Sequence, residues 1–439
     1  MASRRMGVVA LASACLAGSL AWSGVPAIAS SSQAAPATST SGDETLGAGA
    51  GTNGESAESS TPVPESSPSP SPSPSLSPSP SPGSSPASAP ESPSESPSPT
   101  DSPLTSNDDV DDYIVASNST EWITNFKSEF GKAFNISDLG RAEHVLQMAI
   151  DWKDDSSVEI SQKRFISELV DKYNLTDTKP VQTPMERDLQ LTPAETPDTS
   201  LPYRSIIGSL QWIQRGTRPD ISFAVTYLAR FANCYDASHF KAAKRILRYL
   251  NTTKDRCLVY RRAPNEKKHN KLNLVAYTDS DWGTDKNDRR SYSGSVVYVN
   301  GCLVGWKCSK QHTVALSSVE AEYMALSDCT RETLYVINIL KEFFNLQLPV
   351  TIYCDNIGAG CMAENEVNNQ RTKHIDIRYH MVRQHIADNT VDLQHVPTKE
   401  NIADMLTKAL GPDIFNRLCP ALLDFNNQKS TGTQAAWDF

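Results

Sequence analysis

Hydrophobic and polar positions change their spacing several times along this chain, and each change marks a boundary. Residues 8–22 form an apolar run behind Arg4 and Arg5 and ahead of Ala27-Ile28-Ala29. Ser and Gly interrupt the run too often for a good spanning helix. A basic start, a short apolar stretch and a small-x-small end suit a secretory signal peptide over residues 1–29. No later stretch reaches transmembrane length. Residues 30–107 hold almost no apolar side chains, and Ser-Pro dipeptides repeat from Ser67 to Pro82. Such a segment cannot offset the entropy lost on ordering, so a disordered spacer stiffened toward polyproline II is expected.

Globular character begins near Val110. Over residues 108–185, short strand-like runs at 113–116 and 158–160 alternate with helical ones, and Phe165, Leu169 and Tyr173 share one face of a helix at 161–173. A loop holding Pro180, Pro184, Pro193, Pro197 and Pro202 leads into a helical stretch at 205–250, within a connection region over 186–270. There Lys241, Lys244, Arg245 and Arg248 share a helix whose other face carries Ile246, Leu247 and Leu250. These cations form either a solvated face or a phosphate-contacting stripe. After a charged linker at 261–271, residues 271–410 read as one α/β unit. Strands are expected at 272–278, 295–299, 302–306 and 313–316, with the hairpin dipeptide Asn300-Gly301 between the middle two. A long helix at 319–344 follows, then a strand at 350–354, a helix at 375–387, a strand at 391–396 and a closing helix from Asn401. The order predicts a mixed sheet covered by helices, with residues 411–439 as a tail.

Composition narrows the chemistry. The formal charge of −10 gives no global attraction to nucleic acid, so any such binding must use local basic patches. Nine cysteines are present, Cys15 inside the leader and the others without CxxC pairs. Reduced, buried thiols are therefore expected, rather than a zinc knuckle or a disulfide framework.

Four acids stand where chemistry needs them. Asp279 ends the first strand of the last unit, Glu322 opens the long helix, Asp355 ends the strand at 350–354 and Asp404 opens the closing helix. A carboxylate ending an apolar strand is costly to bury alone, which invites a metal explanation. Hydrolysis of a phosphodiester needs an activated water and a stabilised leaving oxygen, which two Mg²⁺ ions held by carboxylates provide. Asp281 and Glu320 lie close enough to act as decoys, and Asp355-Asn356 could equally be a plain helix cap.

The blocks Tyr277-Thr278-Asp279-Ser280-Asp281-Trp282, Ser317-Ser318-Val319-Glu320-Ala321-Glu322-Tyr323, Cys354-Asp355-Asn356, Arg371-Thr372-Lys373-His374-Ile375-Asp376 and Val396-Pro397-Thr398-Lys399-Glu400-Asn401-Ile402-Ala403-Asp404 resemble the ribonuclease H of Ty1/copia-type LTR retrotransposon polyproteins. The resemblance implies a five-stranded mixed sheet with flanking helices. It implies Asp279, Glu322, Asp355 and Asp404 as ligands of two Mg²⁺ ions, for which Mn²⁺ can substitute, and no small-molecule cofactor. It implies an RNA–DNA hybrid as substrate, and His395, offset by one residue, as a group aiding product release. Upstream, Asp109-Val110-Asp111-Asp112-Tyr113 resembles the metal motif of the family's reverse transcriptase, as Thr217-Arg218-Pro219-Asp220-Ile221 and Lys244-Arg245-Ile246-Leu247-Arg248-Tyr249-Leu250 resemble its connection. Asp109 replaces the usual tyrosine, and Ser/Pro spacer stands where an earlier aspartate-bearing strand would be. A truncated palm fragment without polymerase activity is expected, and its strand edges should be exposed.

Two functions compete at this stage, beside a third class, a Ser/Pro-dominated interaction protein, which would require residues 108–439 to be dispensable. One is a hybrid-cutting nuclease in the cytoplasm or a virus-like particle, as the resemblance implies. The other is a non-catalytic remnant exported behind the leader and stalk, for which the sequons at Asn118, Asn135, Asn174 and Asn251 would be glycosylation acceptors.

Overall fold

A computed structural model of the chain describes residues 114–117, 119–153, 157–261, 271–364 and 373–425. The leader, the spacer, Asp109, Asp111, Asp112, the Asn118 sequon, Arg371 and Thr372 lie outside them. So do residues 426–439.

The first described element is helix α1 (Thr120–Ala133), capped by the Ser119 hydroxyl on Trp122 N–H. Strands β1 (His144–Val145), β2 (Met148–Trp152) and β3 (Ser157–Ser161) then run antiparallel. Residues 114–117 lie in no strand, contrary to the expectation for 113–116. Helix α2 (Lys163–Lys172) buries Ile166, Leu169 and Val170. Three helices make up the connection: α3 (Tyr203–Gly216), α4 (Ser222–Ala229) and α5 (Ala237–Thr252).

The run Arg256–Arg261, partly assigned to a linker on sequence grounds, is strand β4. It pairs with β3, and β12 (Asp424–Phe425) covers its other edge. The result is an antiparallel sheet in the order β1-β2-β3-β4-β12. Chain distant in sequence thus closes one of the edges that a truncated palm would leave open. The region expected as a tail contributes this strand and helix α9 (Pro412–Leu422), which buries Phe415, Leu418, Cys419 and Leu422.

The Thr-Arg-Pro-Asp-Ile segment has a structural role. Arg218 is fully buried and clasps Asp220 through Nε to Oδ1 at 2.9 Å and Nη2 to Oδ2 at 2.7 Å. It also donates to Thr253 O at 3.1 Å, and the Tyr249 hydroxyl donates to Asp220 Oδ2 at 2.5 Å. A buried charge pair of this kind survives only because further hydrogen bonds satisfy both partners.

The second sheet contains β6 (Leu274–Ser280), β7 (Tyr292–Val299), β8 (Cys302–Lys310), β10 (Val350–Cys354) and β11 (Val391–His395). Their order is β11-β10-β6-β7-β8. The pairs β6–β7 and β7–β8 are antiparallel, while β6–β10 and β10–β11 are parallel. This is the five-stranded mixed sheet that the resemblance implied. Every residue of β6 and β7 is buried, as expected of central strands covered on both faces. Asn300 (φ 49°) and Gly301 (φ 77°) both take left-handed backbone, which a two-residue hairpin turn requires. A minor pair, β5 (Lys271–Leu272) with β9 (Asn345–Leu346), flanks this sheet.

Helix α6 (Ser318–Phe343) opens on the Ser317 cap and crosses β6 and β7; α7 (Ile357–Glu364) and α8 (Lys373–Ala387) pack beside it. The expected strand at 313–316 is absent. β8 remains the last strand of its sheet, and Leu316 is 84% exposed. One continuous apolar core joins the connection helices to this sheet.

Candidate active site

The sheet register brings the first two acids together. Cys354 of β10 sits opposite Thr278 of the parallel β6, so Asp355 and Asp279 both leave at the same edge, the carboxyl end of their strands. That end is where open α/β sheets place ligands. Helix α6 lays Glu322 over it. Asp404 arrives on a 3-10 turn, Ile402–Leu406, instead of the helix expected from Asn401. The turn stops short because Gly411 and Pro412 start α9 afresh beyond it.

Two anchors hold that turn. Asn401 donates from Nδ2 to Thr278 O at 2.9 Å and accepts from Ala403 N–H at 3.2 Å. Gly294, which pairs with Asp279 across β6–β7, leaves the gap into which the turn fits. Thr407 then donates its hydroxyl to Asp279 Oδ2.

Asp279, Asp355 and Asp404 each offer an oxygen within 4.8 Å of the other two. Glu322 lies within the same distance of Asp355. Asp279, Glu322 and Asp404 are buried and Asp355 is half-buried. Glu322 Oε2 and Asp355 Oδ1 are buried without a hydrogen-bond partner. Burial, then the nearby Asp279 and Asp355, push the Glu322 carboxyl up to about 10. Asp404 is pushed up to about 7 by burial and Asp279, against the pull of Lys408. Burial and Asp279 likewise raise Asp355. Lys408 Nζ lies 2.8 Å from Asp404 Oδ1 and 3.7 Å from Asp279 Oδ2. Burial works against its charge, but the two aspartates outweigh that and raise its pKa. The cluster therefore sets four carboxyl groups against one lysine, and some of its buried oxygens have no donor.

The decoys separate cleanly. Asp281 accepts from the backbone of Tyr292 and from Thr284, shaping the turn after β6. Glu320 Oε2 reaches back to Leu316 N–H at 2.7 Å, a capping contact. At Asp355-Asn356 the cap is Asn356, whose Oδ1 accepts Ala359 N–H at 3.0 Å, leaving Asp355 for the cluster. His395 ends β11 in register with Cys354 and is exposed.

The basic helix is divided. Arg248 donates to Lys179 O at 2.7 Å and Arg245 reaches Glu186 at 3.1 Å, so both tie down the proline-rich loop. Lys244 lies over the Phe240 ring, and Lys241 is exposed. Sequence reasoning missed Gly294, Thr407 and Lys408, and quoted Asn401 without a role. Only Asn401, a capping residue type ahead of a turn, carried a readable signal.

A ribonuclease H-like sheet with a carboxylate cluster at the ends of its parallel strands defines the class of this domain. Comparison with known proteins narrows it. The family of reverse transcriptase (RNA-dependent DNA polymerase) matches residues 106–187. The Pol polyprotein from transposon TNT 1-94 of Nicotiana tabacum is 33% identical over 72% of this chain, which spans 24% of that relative's length. Secreted RxLR effector protein 161 of Plasmopara viticola is 43% identical over 31% of this chain and 92% of its own. The structure of LC11-RNase H1, isolated from compost, aligns with 34% of this chain and 98% of its own at 16% identity, with a TM-score of 0.25. That last likeness is too remote to carry an argument. The chain belongs to the Ty1/copia-type retrotransposon Pol polyprotein family.

Proposed function

We propose that this protein is a Mg²⁺-dependent ribonuclease that cuts the RNA strand of RNA–DNA hybrids endonucleolytically. The observation that carries the reading is the meeting of Asp279, Glu322, Asp355 and Asp404 at one sheet edge, with buried oxygens lacking donors. An all-oxygen set suits Mg²⁺ better than a softer ion, and these four residues would hold it. Bound there, a pair of such ions supplies an activated water and stabilises the leaving oxygen.

The chain's own residues do the rest. Asn401 and Gly294 hold Asp404 against β6, and the Thr407 hydroxyl orients Asp279. Lys408 lowers the repulsion among the carboxylates. His395, exposed at the end of β11, would assist release of the product. Lys241 and Lys244 provide local positive charge for the phosphate backbone, which would be read by shape and 2′-hydroxyls rather than by base sequence. No DNA synthesis is proposed, because Ser/Pro repeats occupy the stretch ahead of Asp111 where a further aspartate-bearing strand is needed.

The test is cleavage of a labelled RNA–DNA hybrid by the full chain, with Mg²⁺ and with EDTA. Asp279→Asn should abolish cleavage while circular dichroism stays unchanged; equal cleavage by the variant rejects the assignment. The likeness to a protein named as a secreted effector favours a second reading, an exported and inactive remnant. Recovery of the mature protein outside the cell with a new N-terminus near Ser30, together with no cleavage, would establish it instead.

A further inference from the structure

The edge that carries the carboxylates also carries sulfur. Cys354 ends β10, 4% exposed, with its side chain on the same face as Val350 and Ile352. Its Sγ lies within 4.8 Å of carboxylate oxygens of both Glu322 and Asp355. Glu322 is itself only 7% exposed, and its Oε2 has no hydrogen-bond partner. A buried acceptor without a donor, next to a thiol and a second carboxylate, asks for a cation. Of the eight described cysteines, Cys354 alone stands in such a group among the described residues.

The donor set decides which cation. Mg²⁺ takes oxygen and has little affinity for sulfur, whereas Zn²⁺ and Cd²⁺ accept thiolate and carboxylate together. Zinc binds sulfur at about 2.3 Å and oxygen at about 2.0–2.2 Å, which sets tetrahedral ligand atoms roughly 3.5 Å apart. The three ligand atoms lie within 4.8 Å of one another, so closing on an ion needs a shift of about 1 Å. Spacing in the sequence gave no hint, because the three ligands come from a strand end, the residue after it and a helix that crosses the sheet.

We propose that Glu322, Cys354 and Asp355 form a site for a thiophilic divalent ion, Zn²⁺ or Cd²⁺, whose binding silences the nuclease by withdrawing Glu322 and Asp355 from Mg²⁺. The protons on the thiol and on the Glu322 carboxyl pass to solvent as the metal–ligand bonds form. Binding stands on the geometry alone; silencing rests on the nuclease reading above.

Two measurements on the full chain test it. The first is titration with CdCl₂ alone, followed by the thiolate-to-cadmium charge-transfer absorbance. The second is hybrid cleavage at saturating Mg²⁺ with added ZnCl₂. The wild-type chain should show a band that saturates at one thiolate. Cys354→Thr should lose that band and need about tenfold or more Zn²⁺ for half-inhibition, since even outer-shell changes cost about 10–100-fold in metal affinity. Cys354→Ser replaces it if the threonine variant fails to fold by circular dichroism. A band that persists unchanged in the folded variant, or equal zinc sensitivity of variant and wild type, overturns the proposal. If the wild type shows no cleavage with Mg²⁺ alone, the nuclease reading fails, and the cadmium band still decides the site.

Discussion

Gly294→Ala should damage the site without touching a carboxylate. A Cβ at Gly294 would lie 2.8 Å from Thr407 Cγ2, 3.0 Å from Ala403 O and 3.0 Å from Leu406 Cβ. The Thr407 methyl is held by that residue's hydroxyl bond to Asp279, while Ala403 O is backbone and Leu406 Cβ is bonded to its own Cα, so none swings aside freely. The turn Ile402–Leu406 must retreat by about 0.5 Å to restore ordinary contact, and overpacking of this kind costs about 1–3 kcal/mol. For a domain of this size each kcal/mol lowers Tm by roughly 2–4 °C, which gives an expected fall of several degrees. The same retreat carries Asp404 away from Asp279 and strains the Thr407 bond to it. A misplacement near 1 Å costs about 10²-fold in rate, so a shift of half that should cost on the order of tenfold. The assay is hybrid cleavage against Mg²⁺ concentration, alongside thermal unfolding. Gly360→Ala on α7 is the control, because a Cβ there meets nothing within 4 Å. If Gly294→Ala cleaves and melts as the wild type does, close packing at Gly294 does not position Asp404.

Three further outcomes follow from the same geometry. Glu322 and Asp404 keep their protons in the metal-free fold after the unfolded chain has lost them, so their stabilisation is full below about pH 4. It is lost as pH rises through about 7 and 10. In EDTA, Tm should fall between about pH 5 and 9, and Glu322→Gln should flatten the decline; equal slopes would contradict the burial argument. Arg218→Met leaves Asp220 buried without its partner and should cost about 3–5 kcal/mol in urea unfolding, whereas a loss near zero would mean that Asp220 takes up a proton freely. Lys241→Gln with Lys244→Gln should reduce the log–log salt slope of hybrid binding by about one for each lysine that neutralises a phosphate, while Arg248→Gln should lower stability instead; identical effects of both changes would remove the distinction between them.

What the sequence determined by itself was local. Alternation and helical spacing located β6, β7, β8, β10 and β11, the Asn-Gly hairpin and the long helix α6, because these elements depend on side chains a few residues apart. Motif neighbours picked out the four acids in order. Strand β4 was missed because its partners β3 and β12 are far away in the chain, and 313–316 was wrongly made a strand because apolar spacing does not say whether a segment pairs. Asp279 was separated from Asp281, and Glu322 from Glu320, only by the family resemblance and not by the physics of the sequence. Adjacent acids look alike until backbone N–H groups claim one of each pair. Only the parallel register of β6 with β10, and the close approach that Gly294 permits, decided that the four carboxylates meet. Convergence belongs to the tertiary structure because its ligands stand on separate elements whose spacing in sequence bears no relation to their separation in space.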